Sequence, residues 1–128
     1  MRMAGQAIIL MVHGSKDPRW RKPFEDLLDA LREDLGADVV HLAYMESGQP
    51  DLLRVSRAVH AGGLNRAFVL PLFMAGGGHV DHDLPGLVHQ AEKAVPGLDL
   101  ELLPPIGEHP RFIELLRAIV RDRYRQLE

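Results

Sequence analysis

Length and composition are those of an ordinary globular protein, because 46% of the 128 residues are hydrophobic and 26% are charged. A net charge of -3 argues against a general nucleic-acid surface, which needs a basic excess. The chain has no cysteine, which excludes disulfides and thiolate ligands and leaves nitrogen and oxygen to bind any metal.

This length predicts a single domain over residues 1–128. The first apolar run covers residues 7–12, which is far shorter than the roughly 20 residues of a membrane span. The run also lacks the length of a signal-peptide core. We therefore expect a cytoplasmic protein without membrane association.

Strand and helix patterns alternate from the start of the chain. Residues 7–13, AIILMVH, form a continuous apolar run, typical of a strand buried on both faces. A helix ending at Gly36 follows, and its apolar residues step by three and four: Phe24, Leu27, Leu28, Leu31 and Leu35. Residues 37–46 predict a second strand. The next helix has Pro50 near its first turn, stops at Gly62 and Gly63, and buries Leu52, Val55 and Val59.

The same alternation continues to the end. Residues 67–73 predict a third strand, in which Pro71 marks a bulge or the strand's end because it lacks an amide donor. The third helix uses Leu84, Leu87, Val88 and Ala91. Residues 98–103 predict a fourth strand at an edge of the sheet. The apolar residues of the last helix are Phe112, Leu115, Leu116, Ile119 and Val120.

This order predicts an α/β fold: a small doubly wound parallel four-stranded sheet with helices on both faces. Strands separated by helices must run parallel, with right-handed crossovers. In the common strand order 2-1-3-4, the winding reverses between strands 1 and 3. Ligands of such sheets bind outside the carboxyl ends of the strands at that reversal.

Four of the seven histidines follow strands and are expected at this carboxyl edge: His13, His79, His82 and His109. His13 and His79 are expected to face each other across the switch point. The other three lie within predicted elements, where a surface or core role suffices: His41, His60 and His89.

The segment AGGGHVDHD, residues 75–83, allows several interpretations of its role. A phosphate cradle is weakly supported, since neither G-x-G-x-x-G nor a P-loop motif follows any strand. A mobile turn is possible, and Asp83 is a candidate N-cap of the next helix. Metal or proton chemistry is the remaining reading, because neutral imidazole accepts protons and binds divalent Fe, Co, Ni, Cu and Zn.

Charged residues near His13 extend this candidate site. Glu46 ends strand 2 and is the nearest predicted carboxylate. Four cations surround Trp20 between residues 16 and 22: Lys16, Arg19, Arg21 and Lys22. They fit either a solvated helix start or a site for a flat ligand rich in carboxylates.

Four segments resemble the short CbiX-type sirohydrochlorin chelatases, relatives of SirB, in order along essentially the whole chain. They are VHGSKDPR at 12–19, AYMESGQP at 43–50, VLPLFMAGGGHVDHDLP at 69–85 and GEHP at 107–110. The resemblance implies a chelatase-like domain that inserts a divalent metal into a tetrapyrrole in cobalamin or siroheme biosynthesis. It also implies a homodimer, because longer relatives resemble two such units in tandem.

The resemblance places the family's catalytic residues at His13, His79 and Glu46, with both histidines as metal ligands and proton acceptors. Ser15, Lys16 and Arg19 would bind the substrate, as would the glycines at 76–78, namely Gly76, Gly77 and Gly78. The metal, Co²⁺ or else Fe²⁺ or Ni²⁺, is a substrate, and no organic cofactor is expected.

Two rival functions keep the same fold. A non-catalytic tetrapyrrole or metal carrier would need the same histidines. A receiver-like signalling domain would need an acidic pair after strand 1, where the chain instead has His13, Gly14 and Ser15.

Overall fold

The computed structural model describes residues 6–75 and 78–127, without the side chains of residues 78–82. The strands are β1 (Gln6–Val12), β2 (Val40–Tyr44), β3 (Arg66–Pro71) and β4 (Asp99–Leu102). The helices are α1 (Pro18–Leu35), α2 (Leu52–Ala61), α3 (Gly78–Ala94) and α4 (Pro110–Gln126), and a 3₁₀ turn at Ile106–Glu108 precedes α4.

The sheet has the predicted order β2-β1-β3-β4, and all three pairings are parallel. β1 is therefore central: Ile9 lies opposite His41 on one side and Val69 on the other. Pro71 is the last residue of β3, which confirms it as the strand's end. The switch point between β1 and β3 is confirmed.

Helices α2 and α3 cover one face of the sheet. Most of the residues that the periodicity predicted are buried, with Val59 and Ala91 at most 2% exposed. Leu87 is only half-buried, and Ser56, which the periodicity did not predict, is fully buried. Helix α1 covers the other face over β1 and β2, through Phe24, Leu28 and Leu31.

One predicted helix start agrees with the structure and one differs from it. Asp51 caps α2 by accepting the Arg54 N–H at 2.9 Å, so Pro50 lies directly before the cap and near the first turn, as predicted. Helix α3 begins at Gly78, so Asp83 lies inside it and is not its N-cap.

Helix α4 also departs from expectation. Its predicted apolar face does not enter the core: no α4 residue is buried, and within the described part of the chain α4 packs chiefly on the 3₁₀ turn. A run of apolar residues predicts an amphipathic helix, but the periodicity does not say which surface covers it.

Candidate functional site

His13 lies at the predicted place, immediately after β1 at the carboxyl edge, with an exposed side chain. Its ring packs against the ring of Phe73, with 4.1 Å between centroids and a tilt of 32°. Phe73 follows β3 and is only 5% exposed. A buried aromatic ring thus supports His13 from behind, while the imidazole stays open to a ligand.

Glu46 is held beside His13 through its backbone. The Glu46 N–H donates to the His13 carbonyl at 3.0 Å, and the Met45 N–H donates to that of Val12 at 2.9 Å. Gly14 has φ +104°, and a Cβ at this position would overlap the Glu46 carbonyl oxygen. Only glycine permits this approach, which brings the loops after β1 and β2 into contact. The structure therefore places Glu46 and His13 on adjacent loops, both with exposed side chains.

The predicted substrate-binding residues after His13 form the start of α1. The Ser15 hydroxyl accepts the Asp17 N–H at 3.1 Å, and Asp17 caps α1 by accepting the Arg19 N–H at 2.9 Å. Arg19 also pairs with Asp17 at 3.0 Å, and this guanidinium lowers the pKa of that carboxyl. The Lys16 side chain is exposed and makes no ion pair among the described residues.

The other half of the candidate site is only partly described. Gly76 and Gly77 lie outside the described residues. Gly78 is the first residue of α3, and His79 stands in the first turn of that helix, which follows β3 at the carboxyl edge. The backbone therefore places His79 on the β3 side of the switch point, opposite the loop of His13. Its side chain, like that of His82, lies outside the described part.

The remaining histidines have other positions. His109 caps α4, because its Nδ1 accepts the Arg111 N–H at 3.1 Å. The His41 ring contacts the Asp38 carbonyl at 3.0 Å in β2, and burial lowers the pKa of this imidazole. His60 and His89 are exposed on α2 and α3, as predicted.

Sequence reasoning missed three residues at this edge. Phe73 supports His13, and Met74 follows it with a side chain that is 62% exposed. Gly107 is buried, its N–H donates to the Phe73 carbonyl at 2.9 Å, and a Cβ there would overlap the Met74 carbonyl. Phe73 and Met74 lie in the motif PLFM and Gly107 lies in GEHP, but the sequence does not show which residue a closely packed glycine contacts.

No group of three or more histidine or carboxylate side chains converges within the described part of the chain. None of the described helices is long and apolar enough to cross a bilayer. What the described geometry provides is one supported, solvent-accessible imidazole at the switch point, with a carboxylate on the neighbouring loop. Such an arrangement can accept a proton or contact a metal ion without enclosing it.

The fold and this edge define a parallel α/β protein with an exposed histidine at its switch point. The CbiX family model matches residues 7–123. The chain belongs to the CbiX family.

Similar proteins agree with this assignment. A sirohydrochlorin cobaltochelatase of Sulfurisphaera tokodaii is 26% identical over 115 residues, which cover 90% of this chain and 91% of the relative. The chloroplastic sirohydrochlorin ferrochelatase of Arabidopsis thaliana is 29% identical over 91% of this chain, which spans 50% of that relative's length.

Solved structures show the same fold. A protein of Marinobacter aquaeolei VT8, described as a cobalamin (vitamin B12) biosynthesis CbiX protein, superposes with a TM-score of 0.82 at 32% identity, covering 94% of this chain and 98% of that one. The sirohydrochlorin chelatase SirB of Bacillus subtilis, solved in complex with cobalt, gives 0.78 at 22% identity, covering 92% and 50% respectively. At that lower identity the likeness supports the fold alone.

Proposed function

We propose that the protein is a sirohydrochlorin chelatase, which inserts a divalent metal ion into a tetrapyrrole. The observation that carries this proposal is His13, an exposed imidazole supported by Phe73 at the switch point of a CbiX-family sheet. The relatives named as cobaltochelatase and ferrochelatase support the reaction class. Cobalt is the first metal to test, followed by iron and nickel.

Metallation of a free-base macrocycle requires two events. The ring must lose two pyrrolic protons, and the ion must shed water as it enters. In the proposed mechanism, His13 and His79 contact the incoming ion from the two sides of the switch point and accept the released protons. Glu46, on the loop that is hydrogen-bonded to the His13 backbone, receives protons or holds the hydrated ion.

The composition of the site suits a transient contact. Imidazole and carboxylate bind divalent ions, and without thiolates the site is suited to release the ion into the ring. An ion in transit is a substrate, so a closed set of ligands is not required.

The surface around His13, at the carboxyl edge of the sheet, would receive the macrocycle. Lys16 is an exposed cation next to the site, and Arg19, though paired with Asp17, has a side chain that is 91% exposed. Both could meet peripheral carboxylates of the substrate. The glycines at 76–78 would leave room for a flat ligand beside the backbone, and Ser15 would act mainly by shaping the start of α1.

We also propose that the chain works as a homodimer in the cytoplasm. A single small sheet offers one wall for a large flat ligand, and a second copy would supply another. The Arabidopsis relative, of which this chain spans 50%, has room for a second unit of the same size.

The decisive experiment is anaerobic incubation of sirohydrochlorin with Co²⁺ and catalytic amounts of protein, followed by absorbance. Turnover of many rings per chain is expected, whereas a carrier would give a single stoichiometric shift. His13→Ala and His79→Ala should each reduce the rate by at least about 100-fold if the histidines act as ligand and base.

The matched control is His89→Ala, because His89 is an exposed histidine on the body of α3. It should insert cobalt at the wild-type rate. If folded His13→Ala and His79→Ala also did so, the assignment of these residues would be wrong. If the wild-type protein turned over none of the three metals, the chelatase proposal itself would fail.

A further inference from the structure

A groove of about 440 Å³ runs along the outer edge of β2, between α1 and α2. One wall is α1, which contributes Glu25, Leu28 and Arg32 from a single helix face, at spacings of three and four residues. The other wall is α2, which contributes Arg54 and Val55. The floor is β2, which ends the sheet order, so its outer side pairs with no strand of the described chain. An edge of this kind can take an extended peptide as a further strand.

Alternate residues of β2 turn their backbone groups to this open edge. The Ile8 N–H donates to the Val39 carbonyl at 2.7 Å, so residue 39 and every second residue after it face β1. The residues between them, Val40, Leu42 and Tyr44, therefore direct their N–H and C=O groups into the β2-edge groove.

The two outer residues of these three are already engaged by their own chain. The Val40 carbonyl accepts the Arg32 Nε–H at 3.0 Å, and the Tyr44 N–H donates to the Pro50 carbonyl at 2.9 Å. For Leu42, which lies between them, neither the N–H nor the C=O has a hydrogen-bond partner within residues 6–75 and 78–127. The edge therefore offers one complete donor and acceptor pair, which suits pairing with a single residue of an added chain.

The charges of α1 give the groove a direction. Arg32 lies at the Val40 end, and its terminal nitrogens remain free to donate to a carboxylate. Glu25 lies at the Tyr44 end, where burial and the Glu25 charge raise the pKa of the Tyr44 hydroxyl. Seven residues of helix separate Glu25 from Arg32, or roughly 10 Å along the axis. An extended chain of three residues spans about the same length, at about 3.4 Å per residue.

We propose that the β2-edge groove binds a free peptide of three residues, which adds to β2 in the antiparallel direction. The middle residue exchanges both backbone hydrogen bonds with Leu42, as opposed residues do in an antiparallel pair. The terminal carboxylate meets Arg32, and the terminal ammonium meets Glu25. None of the residues that line the groove belongs to the proposed catalytic site, so this inference goes beyond the proposed function and does not depend on it.

The walls also indicate which side chains the peptide carries. The middle side chain lies on the same sheet face as Leu42, against Leu28, and is expected to be apolar. The first side chain lies on the α2 face at the Tyr44 end, where Arg54 is exposed and makes no ion pair within the described chain. An acidic first residue would pair with Arg54 and complement the net charge of +1 that two arginines and one glutamate give the groove.

Calorimetric titration with glutamyl-leucyl-alanine gives the first test. One peptide should bind per chain. N-acetylation or C-amidation removes one terminal charge and should raise the dissociation constant at least about 10-fold, because a charge-assisted hydrogen bond is lost. Methylation of the leucine nitrogen removes the donor to the Leu42 carbonyl and should also weaken binding. Adding one alanine at each end should not strengthen binding, because both terminal charges then lie beyond Glu25 and Arg32.

Variants of the two walls give the second test. Glu25→Gln and Arg54→Gln should each raise the dissociation constant of the tripeptide several-fold. Glu33→Gln and Arg57→Gln are the matched controls, because they make the same charge changes on α1 and α2 outside the groove and should leave binding unchanged. All four side chains are exposed, so each variant is expected to fold.

Nuclear magnetic resonance locates the bound peptide. The Leu42 amide signal should shift more than any other signal of β2 when the tripeptide is added. Absence of binding would overturn the proposal, as would an unmoved Leu42 signal. Equal affinity for the acetylated, amidated and unmodified peptides would also overturn it. These measurements use neither metal nor tetrapyrrole, so the proposed chelatase function is tested separately.

Discussion

Gly14→Ala tests whether the contact between the loops of His13 and Glu46 organises the site. Gly14 has φ +104°, where alanine costs on the order of 1–3 kcal/mol. The added Cβ would also overlap the Glu46 carbonyl oxygen. Restoring a contact of about 3.5 Å requires the two loops to separate by more than about 1 Å.

The separation has two measurable consequences. It breaks the hydrogen bond from the Glu46 N–H to the His13 carbonyl, worth roughly 0.5–1.5 kcal/mol, so the total loss of stability should be about 2–4 kcal/mol. It also displaces Glu46 from His13, and a displacement of about 1 Å in an active site can reduce the rate by about 100-fold. Urea unfolding at one fixed protein concentration gives the first value, and anaerobic cobalt insertion gives the second.

Gly63→Ala is the matched control. Gly63 has φ +92°, so alanine is strained there as well, but an added Cβ would have no atom within 4 Å. This glycine follows α2 at the opposite edge of the sheet. The Gly63→Ala variant should lose only the roughly 1–3 kcal/mol of stability due to backbone strain, and it should insert cobalt at the wild-type rate. Equal effects of the two substitutions on stability and rate would refute the reasoning.

Three further predictions follow from local contacts. Phe73→Leu removes the ring that supports His13, so the rate of cobalt insertion should fall several-fold and the proton NMR signal of the His13 ring should move; an unchanged spectrum would contradict the stacking. Asp51→Ala removes the N-cap of α2 and should lower the free energy of unfolding in urea by about 1 kcal/mol, whereas Asp51→Asn should keep most of the wild-type stability. Burial lowers the pKa of His41 in the folded protein, so the unfolded chain binds its proton first as pH falls, and stability should decline below about pH 6.5 by at most about 1.4 kcal/mol per pH unit. The free energy of unfolding, measured at several pH values, should depend less steeply on pH in His41→Gln than in the wild-type protein. An equal slope in the two proteins would exclude His41 as its source.

The strand order and the buried faces of α2 and α3 were predictable because they depend on periodicity and on the rules for parallel crossovers. Val59 and Ala91 occupy positions that repeat every three or four residues, and burial follows from the repeat. The place of His13 was predictable for the same reason, since the residue after a parallel strand must lie at the carboxyl edge.

The start of α3 was not predictable from local signals. Three glycines favour a loop and Asp83 is a preferred cap, yet the helix begins at Gly78. The exposure of the apolar face of α4 was not predictable either, because an amphipathic pattern identifies an apolar face but does not show which surface it contacts. The approach of Gly14 to Glu46 depends on a backbone angle and on a contact between distant segments, and neither is encoded in the spacing.

These contacts connect the site to the start of α4. Gly14 brings the β2 loop against the β1 loop, His13 stacks on Phe73 after β3, and the N–H of Gly107 donates to the Phe73 carbonyl. The carboxyl edge of the sheet is therefore linked by a continuous set of contacts from Glu46 to the 3₁₀ turn, and α4 begins two residues after that turn.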